Sequence, residues 1–411
     1  MTIFEKSNFL DMAKILITGN GFDLFHHLPT KYQHFMSVMK TIENNQFDND
    51  VSFDELFGHE FKMDSSNDYS AIVDNYKVEN VLFNHEKLNK IKEMLKDNLW
   101  YKYFSTVLEI DTWIDFEVEV ENVLKQLSVL IKSENPQSKK VNNFRDVAIN
   151  YPDFNLFGII EHKFDDKEVF SVTEKYLDKR KREIKSKDIL HDLSRSFEEF
   201  IIIFNRYLVD VVYNFYGELA NIDNVPFHLM TEIYTFNYTA TLENIYNIDK
   251  SKIIYLHGEV NEDCQKQNLV LGVSEISEDI KIEKAYDFTK YFQKIKKNSN
   301  KKFIEIPSKN KGYDEETVFY IIGHSLDKSD SNYIVNMFNF LKEDRFDKCR
   351  ICVFYYDSKD RDSKIRNVLN VVGEETISKM HRDDRLSFVE LNNKNLIIEF
   401  NKKLYKHEIY I

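Results

Sequence analysis

The segment from Lys14 to Asp23 constrains the fold more than any other part of the chain, and it reads Lys-Ile-Leu-Ile-Thr-Gly-Asn-Gly-Phe-Asp. Its first half is apolar and rich in β-branched residues, which predicts a buried strand of a parallel sheet. The strand ends at Gly19-Asn20-Gly21, where a βα turn is expected. Glycine lets the backbone pass close to a ligand, and the N-terminus of a following helix offers N–H groups to a phosphate. We therefore predict an α/β fold that opens with a nucleotide-binding turn.

The distribution of glycine supports a site at the same edge of this sheet. The chain has only 10 glycines in 411 residues, against roughly 7% in average proteins. Ligands of open α/β sheets bind beyond the carboxyl ends of the strands. Five of the glycines lie at or just past the ends of β-like segments: Gly19, Gly21, Gly258, Gly272 and Gly323.

The remaining strands are predicted in the second half of the chain, after a long helical region. Residues 42–225 contain amphipathic helical candidates joined by polar connections. We predict a Rossmann-like, mostly parallel sheet flanked by helices, formed by residues 1–41 and 226–411, with a large and mostly helical insertion at 42–225. The further strand-like segments are 230–236, 252–256, 269–271, 317–322, 350–356 and 386–391.

Composition limits the class of protein. No apolar run approaches the roughly 20 residues of a membrane-spanning helix, and the first residues lack the charged and apolar regions of a signal peptide. Three cysteines cannot form a disulfide framework and suit a reducing compartment. The net charge of -13 argues against a broad electrostatic contact with nucleic acid. We expect a cytoplasmic protein with no membrane partner.

Polar signatures follow four of the predicted strands. If the strands belong to one parallel sheet, these signatures converge on one edge of it. Each signature alone also has a structural explanation, such as a turn that begins at Asn237 or a histidine packed in the core. The signatures are Gly19-Asn20-Gly21 with Asp23, Thr235 with Asn237, His257-Gly258, and Gly323-His324-Ser325.

The order of these signatures resembles that of the sirtuin-type (SIR2-like) NAD-binding fold, in which the motifs G-A-G-I-S, G-I-P-D-F-R, T-Q-N, H-G and G-T-S-L follow one another. The chain is more closely similar to the bacterial AbiH family of phage abortive-infection proteins. That similarity rests on G-N-G-F-D-L, L-P-T-x-Y, W-x-D-x-E, F-N-Y-T, H-G and G-H-S-L-x-x-S-D. These motifs stand at residues 19–24, 28–32, 113–117, 236–239, 257–258 and 323–330.

The resemblance implies an antiviral hydrolase of the cytoplasm, with NAD as substrate or ligand. In sirtuin-like enzymes the residue at Asn237 orients the nicotinamide ribose and water, and the residue at His257 acts as general base. Relatives in phage defence use this pair to hydrolyse NAD. The resemblance therefore implies catalytic roles for Asn237 and His257. Nucleotide-binding roles are implied for Gly19, Asn20, Gly21, Asp23, Thr235, Gly258, Gly323, His324 and Ser325.

The chain departs from the sirtuin pattern in ways that keep other functions open. Asp23 stands where the sirtuin motif has a serine, and its carboxylate would repel phosphates or bind a divalent cation. The arginine of the second sirtuin motif is absent, and Lys31 is the nearest charged residue. The zinc module of the deacetylases is also absent. No metal is expected for NAD hydrolysis.

Acidic residues alternate from Asp115 to Glu121 and would share one face of a strand, or pair at i, i+4 in a helix. A metal-dependent nuclease that holds Mg²⁺ through Asp23, Asp115 and Glu117 is the second hypothesis. The third is a non-catalytic nucleotide-binding sensor that acts through a partner. The expected partner is a small nucleotide. A phage-derived trigger and a second copy of the chain are further possible partners between which the sequence does not decide.

Overall fold

The computed structural model describes residues 13–110, 115–132, 153–164, 168–178, 183–221, 224–299, 301–304, 317–342 and 349–402. The chain divides into two compact units. The first comprises Met1–His26, Asn221–Leu256 and Lys301–Ile411, and the second comprises His27–Ala220 and His257–Asn300. This division differs from the predicted domains in three segments. Residues 27–41 and 257–300, predicted in the sheet domain, belong to the second unit, and residues 221–225, predicted in the insertion, belong to the first.

The first unit is built on six parallel strands, in the spatial order β3-β2-β1-β4-β5-β6. The predicted α/β, Rossmann-like class is confirmed, and this order is that of dinucleotide-binding sheets. The strand order reverses between β1 and β4, where ligands of such sheets bind. The strands are β1 (Ala13–Thr18), β2 (Glu232–Thr235), β3 (Ile253–Tyr255), β4 (Thr317–Ile322), β5 (Arg350–Tyr355) and β6 (Leu386–Glu390).

Both faces of the sheet are buried, which explains why its central strands are continuously apolar. Ile17 and Ile321 pair in register and pack on one face, while Leu16 and Tyr320 pair and pack on the other. The helices of this unit are Asn20–Phe25, Thr241–Tyr246, Ser331–Lys342, Ser358–Val372, Glu374–Arg382 and Asn393–Asn401.

The second unit is mainly helical and has an aromatic core. The ring of Phe35 packs edge-on against four other rings, with centroid separations of 5.2 to 5.9 Å; these belong to Phe116, Phe200, Phe204 and Tyr207. The predicted strand at 269–271 does not form. The α-helices are Tyr32–Asn44, Phe53–Phe57, Glu60–Asp64, Ser66–Asn75, His85–Leu95, Leu99–Ile110, Phe116–Lys132, Asp153–Leu156, Ser186–Asp210, Glu278–Ile282 and Lys290–Lys296.

The described residues of the second unit also form three short antiparallel strand pairs. They are Val51–Ser52 with Leu82–Phe83, Ile160–Phe164 with Glu168–Val172, and Leu177–Asp178 with Glu183–Ile184. Among the helices of the described residues, none is long and apolar enough to cross a membrane.

Two of the motifs meet inside the second unit. The ring of Tyr32, from L-P-T-x-Y, stacks on that of Phe116, from W-x-D-x-E, with centroids 4.2 Å apart. The hydroxyl of buried Tyr207 donates a 2.6 Å hydrogen bond to the carbonyl of Pro29. Lys31, the charge nearest to the missing arginine, forms an ion pair of 2.6 Å with Asp68. These contacts assign packing roles to both motifs.

Candidate functional site

The glycine turn after β1 packs directly on the turn after β4. The N–H of Gly19 donates to the carbonyl of Ile322 at 3.0 Å, and the N–H of Gly21 donates to the carbonyl of Gly323 at 2.8 Å. A Cβ atom on Gly21 would lie 2.7 Å from the Cα of Gly323. The close approach that these glycines allow is therefore to another backbone segment. Asn20, between them, is exposed, and its contact with a phosphate stays a prediction.

His324 stabilises the turn after β4. Its side chain is 5% exposed, and Nδ1 accepts a hydrogen bond of 2.9 Å from the N–H of Leu326. In the neutral ring the proton is therefore on Nε2, which lies 3.6 Å from a carboxylate oxygen of Asp330. The neighbouring Ser325 is exposed. Of these two residues, Ser325 is the one open to a ligand.

Asp23 is buried and holds the loop that follows β2. Only 1% of the residue is exposed, and its carboxylate oxygens accept hydrogen bonds from the hydroxyls of Thr239 at 2.5 Å and Thr241 at 2.7 Å. Burial raises the pKa of Asp23 to about 6, although the hydrogen bonds from Thr239 and Thr241 favour the charged form. Asp23 therefore connects helix Asn20–Phe25 to the loop at 237–241.

Neither Thr239 nor Thr241 caps the helix that follows β2. Helix Thr241–Tyr246 has Ala240 at its N-cap and no side-chain cap, because both hydroxyls donate to the carboxylate of Asp23. Their role as partners of Asp23 was missed. The only sequence signal for it is a pair of hydroxyl residues two positions apart, directly after Asn237.

Asn237 is held at the end of β2 by a hydrogen bond of its backbone. The hydroxyl of Thr235 accepts hydrogen bonds from the Thr18 hydroxyl at 2.9 Å and from the Asn237 N–H at 3.0 Å. Asn237 is 6% exposed. Its Oδ1 atom is buried, and no group in the described parts of the chain forms a hydrogen bond with it. These residues line a cavity of about the size of a water molecule.

His257 and Gly258 follow β3 directly and belong to the second unit. His257 is 4% exposed, and its carbonyl accepts a hydrogen bond of 2.8 Å from the N–H of Val270. Gly258 has φ +81°, and a Cβ there would lie 1.9 Å from the carbonyl oxygen of Asn268. The sharp turn at Gly258 therefore requires glycine. A pocket shared by His257 and Asn237 stays a prediction.

Asp115 and Glu117 lie at the start of helix Phe116–Lys132. The acidic residues from Asp115 to Glu121 therefore belong to a helix and not to a strand. The Asp115 carboxylate accepts hydrogen bonds from the N–H groups of Glu117 at 2.9 Å and Val118 at 3.3 Å, as an N-cap residue does. Glu117 forms an ion pair of 2.8 Å with Lys290. Trp113 lies outside the described residues. Both acidic residues thus have structural roles within the second unit.

No group of three or more His, Cys, Asp and Glu side chains in the described parts of the chain is arranged to hold a metal ion. Asp23, the first proposed ligand of the nuclease hypothesis, uses both carboxylate oxygens for threonine hydroxyls. The described residues therefore offer no preassembled metal centre to that hypothesis.

Comparison with models of protein families gives a match that covers most of the chain. A family model described as "Bacteriophage abortive infection AbiH" matches residues 15–355, which include the glycine turn, Asn237, His257 and the turn after β4. Neither the curated proteins nor the solved structures contain a significant match.

Proposed function

The chain belongs to the bacteriophage abortive infection AbiH family, and we propose that it is the effector of this defence and acts by hydrolysing NAD or a related nucleotide. Family membership supports the role in abortive infection. The choice of a nucleotide as substrate rests on the first unit, whose sheet has the strand order of dinucleotide-binding proteins.

The observation that carries the proposal is the position of Asn237. It lies buried at the carboxyl end of β2, next to β1, with one amide oxygen that has no hydrogen-bond partner among the described residues. Polar groups that fix the orientation of a small ligand are commonly few and well placed in such sites. Asn20 and Ser325, which are exposed on the turns after β1 and β4, are the side chains we expect to contact the rest of the dinucleotide.

The proposed reaction is hydrolysis of the nicotinamide–ribose bond. A water oxygen forms a bond to C1′ of the ribose, while the bond from C1′ to the nicotinamide nitrogen breaks and its electron pair leaves with nicotinamide. Asn237 positions the ribose or the water, and His257 accepts the proton that the water loses. Imidazole suits this role because it titrates near neutral pH. The products are nicotinamide and ADP-ribose.

The test is incubation of the purified full-length protein with NAD, with and without lysate from phage-infected cells to supply a phage-derived trigger. We expect nicotinamide release by the wild type and its loss in Asn237→Ala. The control is Asn244→Ala, because Asn244 is an exposed residue of the neighbouring helix. Parallel incubations with RNA or DNA and Mg²⁺ test the nuclease hypothesis. Degradation of nucleic acid with intact NAD would overturn the proposal, and NAD binding without turnover would favour the sensor.

A further inference from the structure

The backbone of His257 is held by a segment that lies further along the chain. The carbonyl of His257 accepts a hydrogen bond of 2.8 Å from the N–H of Val270, and both residues are buried. Gly258 packs against the same segment, since a Cβ at this position would lie 1.9 Å from the carbonyl oxygen of Asn268. The position of His257 therefore depends on where residues 268–270 lie.

The side-chain amide of Gln293 fixes the residue that follows Val270. Its Oε1 atom accepts a hydrogen bond of 3.1 Å from the N–H of Leu271, and its Nε2 atom donates one of 2.7 Å to the carbonyl of Leu271. Nε2 also donates to the carbonyl of Asp287 at 2.9 Å. Gln293 is 4% exposed. Its amide thus exchanges two hydrogen bonds with one backbone residue, as a paired residue of an antiparallel strand does.

The close packing around Gly272 restricts the movement of this amide. A Cβ on Gly272, which has φ +155°, would lie 2.2 Å from the carbonyl oxygen of Phe288 and 3.1 Å from Nε2 of Gln293. The N–H of Val273 donates to the same carbonyl of Phe288 at 2.9 Å. Since Gln293 belongs to helix Lys290–Lys296, the segment that holds His257 is attached to this helix.

We propose that Gln293 is a positioning residue for His257, which it holds through Leu271 and Val270. The inference rests on the proposed function for the role of His257 as general base. A general base must lie within hydrogen-bond reach of the proton that it accepts, and a misplacement of about 1 Å can lower a rate about 100-fold. Gln293 acts through the backbone, so its role requires no contact with the substrate.

Asn205 makes the same kind of contact at a point further from His257. It is 0% exposed, its Oδ1 atom accepts from the N–H of Asn261 at 3.0 Å, and its Nδ2 atom donates to the carbonyl of Asn261 at 2.9 Å. Between these points, the N–H of Glu259 donates to Oδ1 of Asn268 at 2.7 Å, which holds the chain near His257 independently of Asn261. Asn205 is therefore a matched control, because its amide is also buried and bonded twice to one backbone residue.

The first experiment needs no substrate. The ring signals of His257 are followed by NMR in protein labelled with ¹³C-histidine and are identified by their loss in His257→Ala. Gln293→Met keeps the length of the side chain and removes its donor and its acceptor, while Asn205→Leu removes the control amide. We expect the His257 signals to shift or broaden in Gln293→Met and to stay unchanged in Asn205→Leu. Unchanged signals in a folded Gln293→Met variant, or the same change in both variants, would overturn the positioning role.

A second variant keeps the experiment decisive if Gln293→Met does not fold. In Gln293→Glu the carboxylate still accepts from the N–H of Leu271, but it cannot donate to the carbonyls of Leu271 and Asp287. The segment at Leu271 should move away from the helix, and the His257 signals should change. His257 signals identical to those of the wild type in this variant would also refute the inference.

The second experiment measures the steady-state kinetics of NAD hydrolysis. We expect Gln293→Met to lower kcat and kcat/KM equally, by about 10- to 100-fold, because the base is displaced while the binding of the substrate is preserved. Asn205→Leu should keep the wild-type kcat at a temperature at which circular dichroism shows both variants to be folded. Equal losses of kcat in the two variants would indicate a general loss of structure and contradict the inference.

The two experiments separate this inference from the proposed function. His257 signals that depend on Gln293, in a protein that does not hydrolyse NAD, would leave the positioning role intact and refute NAD hydrolysis. NAD hydrolysis together with His257 signals that are insensitive to Gln293 would do the reverse.

Discussion

The N–H of Gly21 donates a 2.8 Å hydrogen bond to the carbonyl oxygen of Gly323. This bond joins the turns that follow β1 and β4, the two neighbouring strands between which the strand order reverses. Two segments far apart in the chain thus meet where a dinucleotide would bind to a sheet of this kind. The contact depends on residues without side chains, because a Cβ on either glycine would clash with the other turn.

Gly323→Ala should strongly destabilise the protein. Gly323 has φ +69°, and a Cβ there would lie 2.0 Å from the backbone nitrogen of Phe22. Backbone strain and the clash together should lower the free energy of unfolding by about 3–5 kcal/mol. The matched control is Gly217→Ala, since a Cβ at Gly217 would have no atom within 4 Å from the rest of the described chain beyond its own local segment. Urea unfolding measures both, and equal midpoints for the two variants would contradict the tight contact between the turns.

Asp23→Asn should change how stability depends on pH. Burial raises the pKa of Asp23 from 3.8 to about 6, so folding favours the protonated carboxyl. Its stabilising contribution is complete below about pH 4 and is lost as the pH rises through 6. The difference corresponds to about 3 kcal/mol, at roughly 1.4 kcal/mol per pH unit. The stability of Asp23→Asn relative to the wild type should therefore increase between pH 4 and 7. A difference that is constant over this range would contradict the burial of a titrating carboxyl.

Glu117→Gln should destabilise the second unit more than Glu121→Gln. The side chains of Glu117 and Lys290 are 17% and 8% exposed and lie 2.8 Å apart, whereas Glu121 pairs with Lys125 at the surface of the same helix. Breaking a largely buried ion pair leaves an uncompensated charge and costs about 3 kcal/mol, while an exposed pair contributes at most about 1 kcal/mol. Thermal unfolding of both variants provides the comparison. Equal losses would show that the Glu117–Lys290 pair is not protected from solvent.

Asn237→Ala and His257→Ala should each abolish phage protection and leave the fold intact. Removal of one acid–base or positioning group typically lowers the rate about 10²–10⁴-fold. The exposed His59 offers a matched control for His257. Protection and circular dichroism are measured for Asn237→Ala, His257→Ala and His59→Ala. Full protection by a folded His257→Ala variant would remove His257 from the proposed mechanism.

The local elements could be predicted from the sequence, but the contacts between distant segments could not. Mainly apolar runs ending in glycine identify β1 and β4 because burial on both faces favours continuous apolar residues. The strand order depends on pairing between remote segments, which no local pattern encodes. The same holds for Asp23, whose threonine partners follow more than two hundred residues later.

The spacing of the acidic residues from Asp115 to Glu121 does not by itself distinguish a strand from a helix. Their alternation suits a strand, yet Phe116, Val120 and Val123 recur at helical spacing and are buried, and this burial decides the structure. The glycines after β1 were predicted to let the backbone pass close to a ligand, and in the structure they lie close to the turn after β4. The partner was another backbone, because a sequence does not show which segment will lie opposite.

The most direct test of the account is the NAD content of cells that express the protein during phage infection, measured together with the integrity of their RNA and DNA. We expect NAD to fall after infection in wild-type cells and to be preserved in cells with Asn237→Ala or His257→Ala, with intact nucleic acid until phage lysis. Unchanged NAD in protected wild-type cells, with degraded RNA or DNA, would contradict the proposed function.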